Sequence, residues 1–406
     1  MKGLYKDRRF HFILSANILS SIGSGITMIA VPWLLVSRVH GGSLFGYITI
    51  LMTAVNFFIT PLIGHLIDRY SRKKILLIGE IIGFFIVLLF AVQGILGIKF
   101  QVWHYIVLYG SGSFYYNLFY PAIFAFNQEI FDKSVYRPLN GAMEIQGQLS
   151  SVAAGALAAI LMTKVDLHWL LLFDAFTYIS AFLLFLKIPY QRRVHTGQKI
   201  KFWLKITEGY RYIHRKPALF LYLTASLMPF IGVMVTNYVF PVYLKEVLHV
   251  SASIYGMQSM VYGIGAVAAG VVVPILAFKR GNEFSITVTI FVYAAAISAV
   301  ILIKSIPLYF ILTILLAFGN AGTRVARNAY MMEKVPNDVM GRVDSLFRLI
   351  GLGLRLILLS VFTGLSIQNN ISFSFYILSF LLAASFVIIL FINRMDNKQA
   401  IDITTT

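Results

Sequence analysis

Gly64-His65-Leu66-Ile67-Asp68-Arg69-Tyr70-Ser71-Arg72-Lys73-Lys74 is a short polar stretch with four cations and one acid, set between two long apolar runs. Residues 44–63 before it carry no charged side chain, and residues 75–97 after it carry only Glu80. Each run matches the roughly 20 apolar residues that an α-helix needs to cross the hydrocarbon core of a bilayer. A tight basic loop between two such runs is a turn at the membrane surface. Working outward, the same alternation predicts spans near 11–36, 102–125, 139–162 and 167–187 on this side of a charged stretch from Lys187 to Lys216. Six further spans follow near 218–243, 252–277, 284–303, 307–327, 343–366 and 371–393. The expected fold is an all-α membrane protein of twelve transmembrane helices.

Composition agrees. Of 406 residues 59% are hydrophobic and 12% charged, against about 25% charged in soluble domains. That leaves too little polar surface for a soluble enzyme and too much apolar mass for a disordered chain. The absence of cysteine excludes a disulfide scaffold, thiolate metal sites and a Cys nucleophile. The eight histidines show no metal-ligand spacing, and no phosphate loop, dinucleotide fingerprint or nucleophile elbow occurs. No enzyme, metal or cofactor is expected, and transport energy must come from an ion gradient.

The net charge of +18 is explained by topology rather than by nucleic acid. With the N-terminus inside, 27 of the 34 Lys and Arg fall in inner segments and five in outer ones: Arg38, Lys99, Lys164, Lys245 and Lys304. Arg348 and Arg355 remain within a span. The asymmetry predicts a cell-membrane protein with both termini cytoplasmic.

The two halves carry a weak repeat. Pro32-Trp33-Leu34-Leu35 and Gly46 resemble Pro241-Val242-Tyr243-Leu244 and Gly256, and a cation lies 23 residues beyond each glycine, at Arg69 and Lys279. The division expected is 1–188 as one six-helix bundle, 189–217 as a cytoplasmic linker and 218–406 as the second bundle. Phe202, Ile206, Gly209 or Tyr210, and Ile213 recur at helical spacing, which predicts an amphipathic interfacial helix in the linker.

The loop at Gly64–Lys74 resembles the signature of the major facilitator superfamily, Gly-x-Leu-x-Asp-Arg-x-Gly-Arg-Lys, matched at Gly64, Leu66, Asp68, Arg69, Arg72 and Lys73, with Ser71 in place of the second glycine. The resemblance implies two six-helix bundles related by pseudo-two-fold symmetry, alternating access, and a gating loop built from Gly64, Asp68, Arg69, Arg72 and Lys73. In that loop Gly64 is expected to permit close helix packing. Asp68 is expected to hold the positive end of a helix from the other half, and the cations to pair with acids or lipid phosphates. The counterpart at Pro274–Gly281 keeps the basic pair Lys279-Arg280 and lacks the acid. Phe173–Tyr178, Thr207–Pro217 and Val335–Val343 together resemble an exporter branch that includes macrolide-efflux proteins and enterobactin exporters. The Gly-Pro element that many drug–proton antiporters carry in span five is replaced by Ser150–Gly155. This implies a monomeric efflux transporter for a small amphipathic molecule, a drug or a siderophore-like metabolite, driven by the proton gradient. An importer of a small nutrient and a lipid flippase on the same fold are the alternatives.

Three acids are expected inside the spans: Glu80, Glu144 and Asp174. An ionised carboxylate at bilayer depth costs about 2.5–3.5 kcal/mol on insertion scales, so each needs a partner, a cavity or a proton. Glu80 is either a proton carrier or the partner of an inner-side Arg or Lys; Asp174 is either a hydrogen-bonding hub or a proton site. Asn140, Glu144, Gln148, Ser151 and Gly155 form one stripe on span five, facing either water and cargo or a neighbouring helix. Span one places Asn17, Ser20, Ser24 and Thr27 on one face, and span four adds Tyr109, Tyr116, Asn117 and Tyr120. On span eleven Arg348 and Arg355 share a face; either Asp344 neutralises the first, or the arginines serve an anionic cargo. The substrate-pathway candidates are Asn17, Ser24, Tyr116, Asn117, Gln148, Arg348 and Arg355.

Overall fold

In the computed structural model the chain is all helical. It describes residues 4–132, 135–190, 207, 210–302 and 305–405; the side chains of residues 5, 65, 68, 137, 138, 337, 338 and 396–405 lie outside that description. Of the expected linker helix, Phe202, Ile206 and Gly209 fall outside the described residues, as does the side chain of Asp68; Tyr210 and Ile213 are described and helical.

The chain divides into two compact units, one of residues 1–197 with 249–260 and one of 198–248 with 261–406. The first contains α1 (Arg8–Val36), α2 (Gly41–Arg69), α3 (Arg72–Ile95), α4 (Val102–Ile130), α5 (Tyr136–Leu161) and α6 (Leu167–Leu186). The remaining helices are α7 (Pro217–Ala225), α8 (Met228–Val242), α9 (Ala252–Arg280), α10 (Asn282–Val300), α11 (Ile306–Lys334), α12 (Asn337–Ile367) and α13 (Phe373–Thr405). In the first unit α3 packs on α4 and α6, and α1 on α4, α5 and α6. In the second, α10 takes the place of α3, packing on α11 and α13.

Side chains decide these contacts. A Cβ on Gly83 would stand 2.7 Å from the Tyr178 ring, so α3 and α6 approach as closely as they do only because that side chain is absent. Gly319 does the same on α11, where a Cβ would lie 2.8 Å from the Thr289 carbonyl. On the outside of α3, Ile78, Ile82, Phe85 and Leu89 are at least half exposed, an apolar face suited to lipid. Among the described residues ten helical segments are long and apolar enough on their own to cross a membrane. The exceptions are α4 and α5, whose polar side chains lower their apolarity.

Two predicted boundaries are corrected. The span expected at 218–243 is broken into α7 and α8 at Ser226-Leu227. Pro229, in the first turn of α8, has no N–H for the carbonyl of Ala225. The chain tightens just before it, and the Leu227 amide bonds Thr224 O at 3.1 Å instead of Leu223 O. After Pro241 the span continues as one π-turn, Tyr243–Val247. Secondly, α11 runs to Lys334 and α12 starts at Asn337. Arg324 and Arg327, read at the inner end of the span 307–327, thus lie within a helix that continues past them.

Candidate functional site

Two acids define the first unit's interior. Glu80 on α3 is 0% and Asp174 on α6 1% exposed. Glu80 accepts a 2.8 Å bond from the Tyr115 hydroxyl on α4, and the Ser20 hydroxyl on α1 lies 3.3 Å from its second oxygen. Ser20 and Tyr115 also bond each other at 2.6 Å. Asp174 accepts from the Thr27 hydroxyl at 2.6 Å and, more loosely, from Thr177 at 3.4 Å. Among the described residues no cation bonds either carboxyl. A cavity of about 80 Å³ borders Asp174, lined also by Thr27, Gly83, Tyr115 and Tyr178 among mostly apolar walls. The helical repeat of α1 brings Ser20 and Thr27 to one side, which is why one helix face serves both carboxyls.

The pathway candidates of the first unit form smaller groups. Ser24 gives its proton to Ser20 O at 2.6 Å and lies 3.0 Å from the Tyr116 hydroxyl, while Tyr116 stacks on Tyr120 with centroids 5.7 Å apart. Asn17 is buried, with Nδ2 at 3.4 Å from the Met143 sulfur and Oδ1 without a partner. Asn117 bridges to α2 through Thr60 and Asn56 at 3.2 and 3.4 Å. Glu144 is exposed on α5 and accepts from Gln148 at 3.0 Å, so the two stripe residues are bonded to each other along the helix.

The gating loop sits at the junction of α2 and α3. Among the described residues nothing lies within 4 Å of where a Gly64 Cβ would be. Ser71 has φ −62°, a conformation open to any residue, and caps α3 by accepting from the Lys74 amide at 3.4 Å. Arg69 is exposed, at the end of α2, with its guanidinium 5.7 Å from the Tyr70 ring. Arg72 and Lys73 turn inward to other helix ends. Arg72 pairs with Glu129 at 3.3 Å and donates to Ala125 O at 2.7 Å, both in the last turns of α4. Lys73 donates to Leu186 O and Ile188 O, where α6 stops, at 2.9 and 2.7 Å. Tyr190 closes the cluster by donating to Glu129. Cations at helix C-termini meet unpaired carbonyls and the negative end of the dipole.

In the second unit Asp344 accepts from Arg348 Nε at 2.7 Å, as the four-residue spacing predicts, although the pair is open to solvent. Arg355, two turns further along α12, is half-buried. Two residues of consequence went unread in the sequence: Tyr115 and Glu129. Tyr115 could have been found from the turn of α4 that carries Tyr116. Glu129 stands where apolarity has faded but the helix continues. Among the described residues no group of His, Asp and Glu could hold a metal ion.

A family model for the Major Facilitator Superfamily matches residues 13–357. The chain is thus a member of that superfamily, a secondary transporter that works by alternating access and not an enzyme. No curated protein matches it by sequence. Solved structures share the fold at low identity. A mutant of the nucleoside transporter NupG is 14% identical, with TM-score 0.72 over 95% of this chain and 100% of that one. A bacterial homologue of the iron transporter ferroportin, inward-facing, is 15% identical, with TM-score 0.73 over 95% and 98%. A bacterial homologue of the lysosomal transporter Spinster is 14% identical, with TM-score 0.70 over 96% and 98%.

Proposed function

We propose that the protein is a proton-driven exporter of small amphipathic molecules in the cell membrane, with both termini cytoplasmic and the bundles 1–188 and 218–406 as its moving parts. The observation that carries this reading is the pair of fully buried carboxyls, Glu80 and Asp174, each held by hydroxyls alone. Hydroxyls can turn to donate to a carboxylate or accept from a carboxylic acid, so the same frame serves both protonation states. A fixed Arg or Lys partner would lock the acid ionised instead. Proton gain and loss here changes the charge of α3 and α6 against α1 and α4, which biases the bundle between its two arrangements. Glu144 and Gln148 on the open face of α5, with Asn17, Ser24, Tyr116 and Asn117, line the cargo side in this reading. The outward direction is supported by the resemblance of Phe173–Tyr178, Thr207–Pro217 and Val335–Val343 to exporters.

The test starts by profiling the medium of cells with and without the protein for molecules that accumulate only when it is present, with erythromycin as a drug probe. Each hit is then added to proteoliposomes carrying a pH gradient and a trapped pH dye. Cargo-dependent proton flux that disappears in Glu80→Gln or Asp174→Asn is expected. Cargo movement without proton flux, or accumulation in the same direction as protons, overturns the reading.

A further inference from the structure

Arg327 lies on α11, only 7% exposed. Its guanidinium carbon sits 5.4 Å from the centre of the Phe347 ring on α12. Nε reaches the carbonyl of Leu223 on α7 at 3.4 Å, and Nη2 is buried with no hydrogen-bond partner. Among the described residues no carboxylate is within ion-pairing distance of it. The charged groups that act on it are Asp344 and Arg348, and Asp344 is already committed to Arg348 at 2.7 Å. Asp344 thus pairs with Arg348 and leaves Arg327 with no ion-pair partner among the described residues.

Local chain chemistry holds Arg327 in this position. The step at Pro229 diverts the Leu227 amide to Thr224 O. Leu223 O is left to accept from Ser226 Oγ at 3.2 Å and from Arg327 Nε. Phe347 supports the guanidinium from one side, and Phe220 lies 6.0 Å from that ring. A guanidinium fixed on one side by a carbonyl and an aromatic face presents its remaining N–H edge in a set direction. An arginine with an unfilled buried donor is a receptor for an acceptor group, and an anion satisfies it better than a neutral oxygen does.

We propose that Arg327 is the recognition point for an acid group on the cargo, a carboxylate or a phosphate monoester, with Arg348 as the second cation. The inference rests on the transporter reading above and narrows its cargo to acid-bearing amphiphiles. The same chemistry would be met by the headgroup of an anionic lipid, so the experiment separates the two sources.

Full-length protein is placed in phosphatidylcholine nanodiscs and titrated calorimetrically with 2-naphthoate, 2-naphthyl phosphate and 2-naphthamide, with no gradient present. Wild type is expected to bind at least one of the acids about tenfold or more tightly than the amide, the size of one charged hydrogen bond. Arg327→Gln removes that preference and leaves the amide unchanged; Arg327→Lys keeps part of it. Equal binding of acid and amide by wild type, or no acid binding at all, overturns the proposal, as does an Arg327→Gln protein that still discriminates. Should Arg327→Gln fail to yield a monodisperse protein, the wild-type comparison with Arg348→Gln decides, because loss of the second cation must also erode the acid preference. Repeating the titration in discs containing phosphatidylglycerol separates the sources. An unchanged acid preference supports a cargo site; its loss assigns Arg327 to lipid and overturns the cargo role. Glu80→Gln must leave the preference intact, so failure of proton coupling and failure of acid recognition are read separately.

Discussion

Removing Arg72 should damage the first unit more than removing both members of its ion pair would suggest. The pair is nearly enclosed, with side-chain exposures of 13% for Arg72 and 4% for Glu129. Arg72→Ala deletes the 3.3 Å ion pair and the 2.7 Å bond to Ala125 O, and it strands the Glu129 carboxylate. Stranding one half of a buried pair costs about 3–5 kcal/mol, and the low end applies because Tyr190 still donates to Glu129. Glu129→Gln should cost only about 1–2 kcal/mol, since the amide keeps an acceptor for Tyr190 and Arg72 keeps its carbonyl. In Arg72→Ala/Glu129→Gln no charge is left behind, so the double variant should fall short of the summed losses by about 1.5–3 kcal/mol. The assay is denaturant unfolding in mild detergent, followed by intrinsic fluorescence, for all four proteins of the cycle. A coupling below about 0.5 kcal/mol refutes the reasoning, because distant independent sites add to within that margin.

Glu80→Gln should retain a folded protein, because the amide oxygen still accepts from Tyr115, whereas Glu80→Ala should lower the melting temperature by leaving a hole beside Tyr115; size-exclusion profiles and thermal melts check both. Gly83→Ala should destabilise by about 1–3 kcal/mol through its clash with the Tyr178 ring, measured by the same unfolding assay. Tyr190 gives a pH dependence outside the membrane. Burial and the Glu129 carboxylate push its phenol above the ordinary tyrosine value, so its contribution is complete below about pH 10 and is lost as pH rises through the folded-state value. Melts across alkaline pH should therefore fall more steeply for wild type than for Tyr190→Phe, and parallel curves would discard the role.

Much of the fold could be read because span length and charge are dictated by the bilayer, and an apolar run near 20 residues has few other uses. Glu80 and Asp174 were legible for the same reason: an acid there is conspicuous. Their partners were only half legible. Ser20 and Thr27 share a helical face in the sequence, but nothing in it says that Tyr115 comes to Glu80 from α4. Glu129 was lost because apolarity reports where hydrocarbon ends, not where a helix ends. The run read as 307–327 continues as helix to Lys334, and the run read as 102–125 continues to Ile130.

The Arg72–Lys73 cluster also sets an order of assembly during synthesis. Arg72 meets Ala125, 53 residues later in the chain, and Lys73 meets Leu186 and Ile188 after 113 and 115 more residues. At about 5–20 residues per second, the partners of Lys73 emerge roughly 6–23 s after it does. For that interval the start of α3 is an unsatisfied cationic knot, free to act as a topological anchor for the hairpin it follows. Once the end of α6 arrives, the same residues become the clasp that joins the start of α3 to the ends of α4 and α6. A ribosome that stalls before Leu186 leaves the clasp open, and quality-control proteases would meet the unit in its unfastened form.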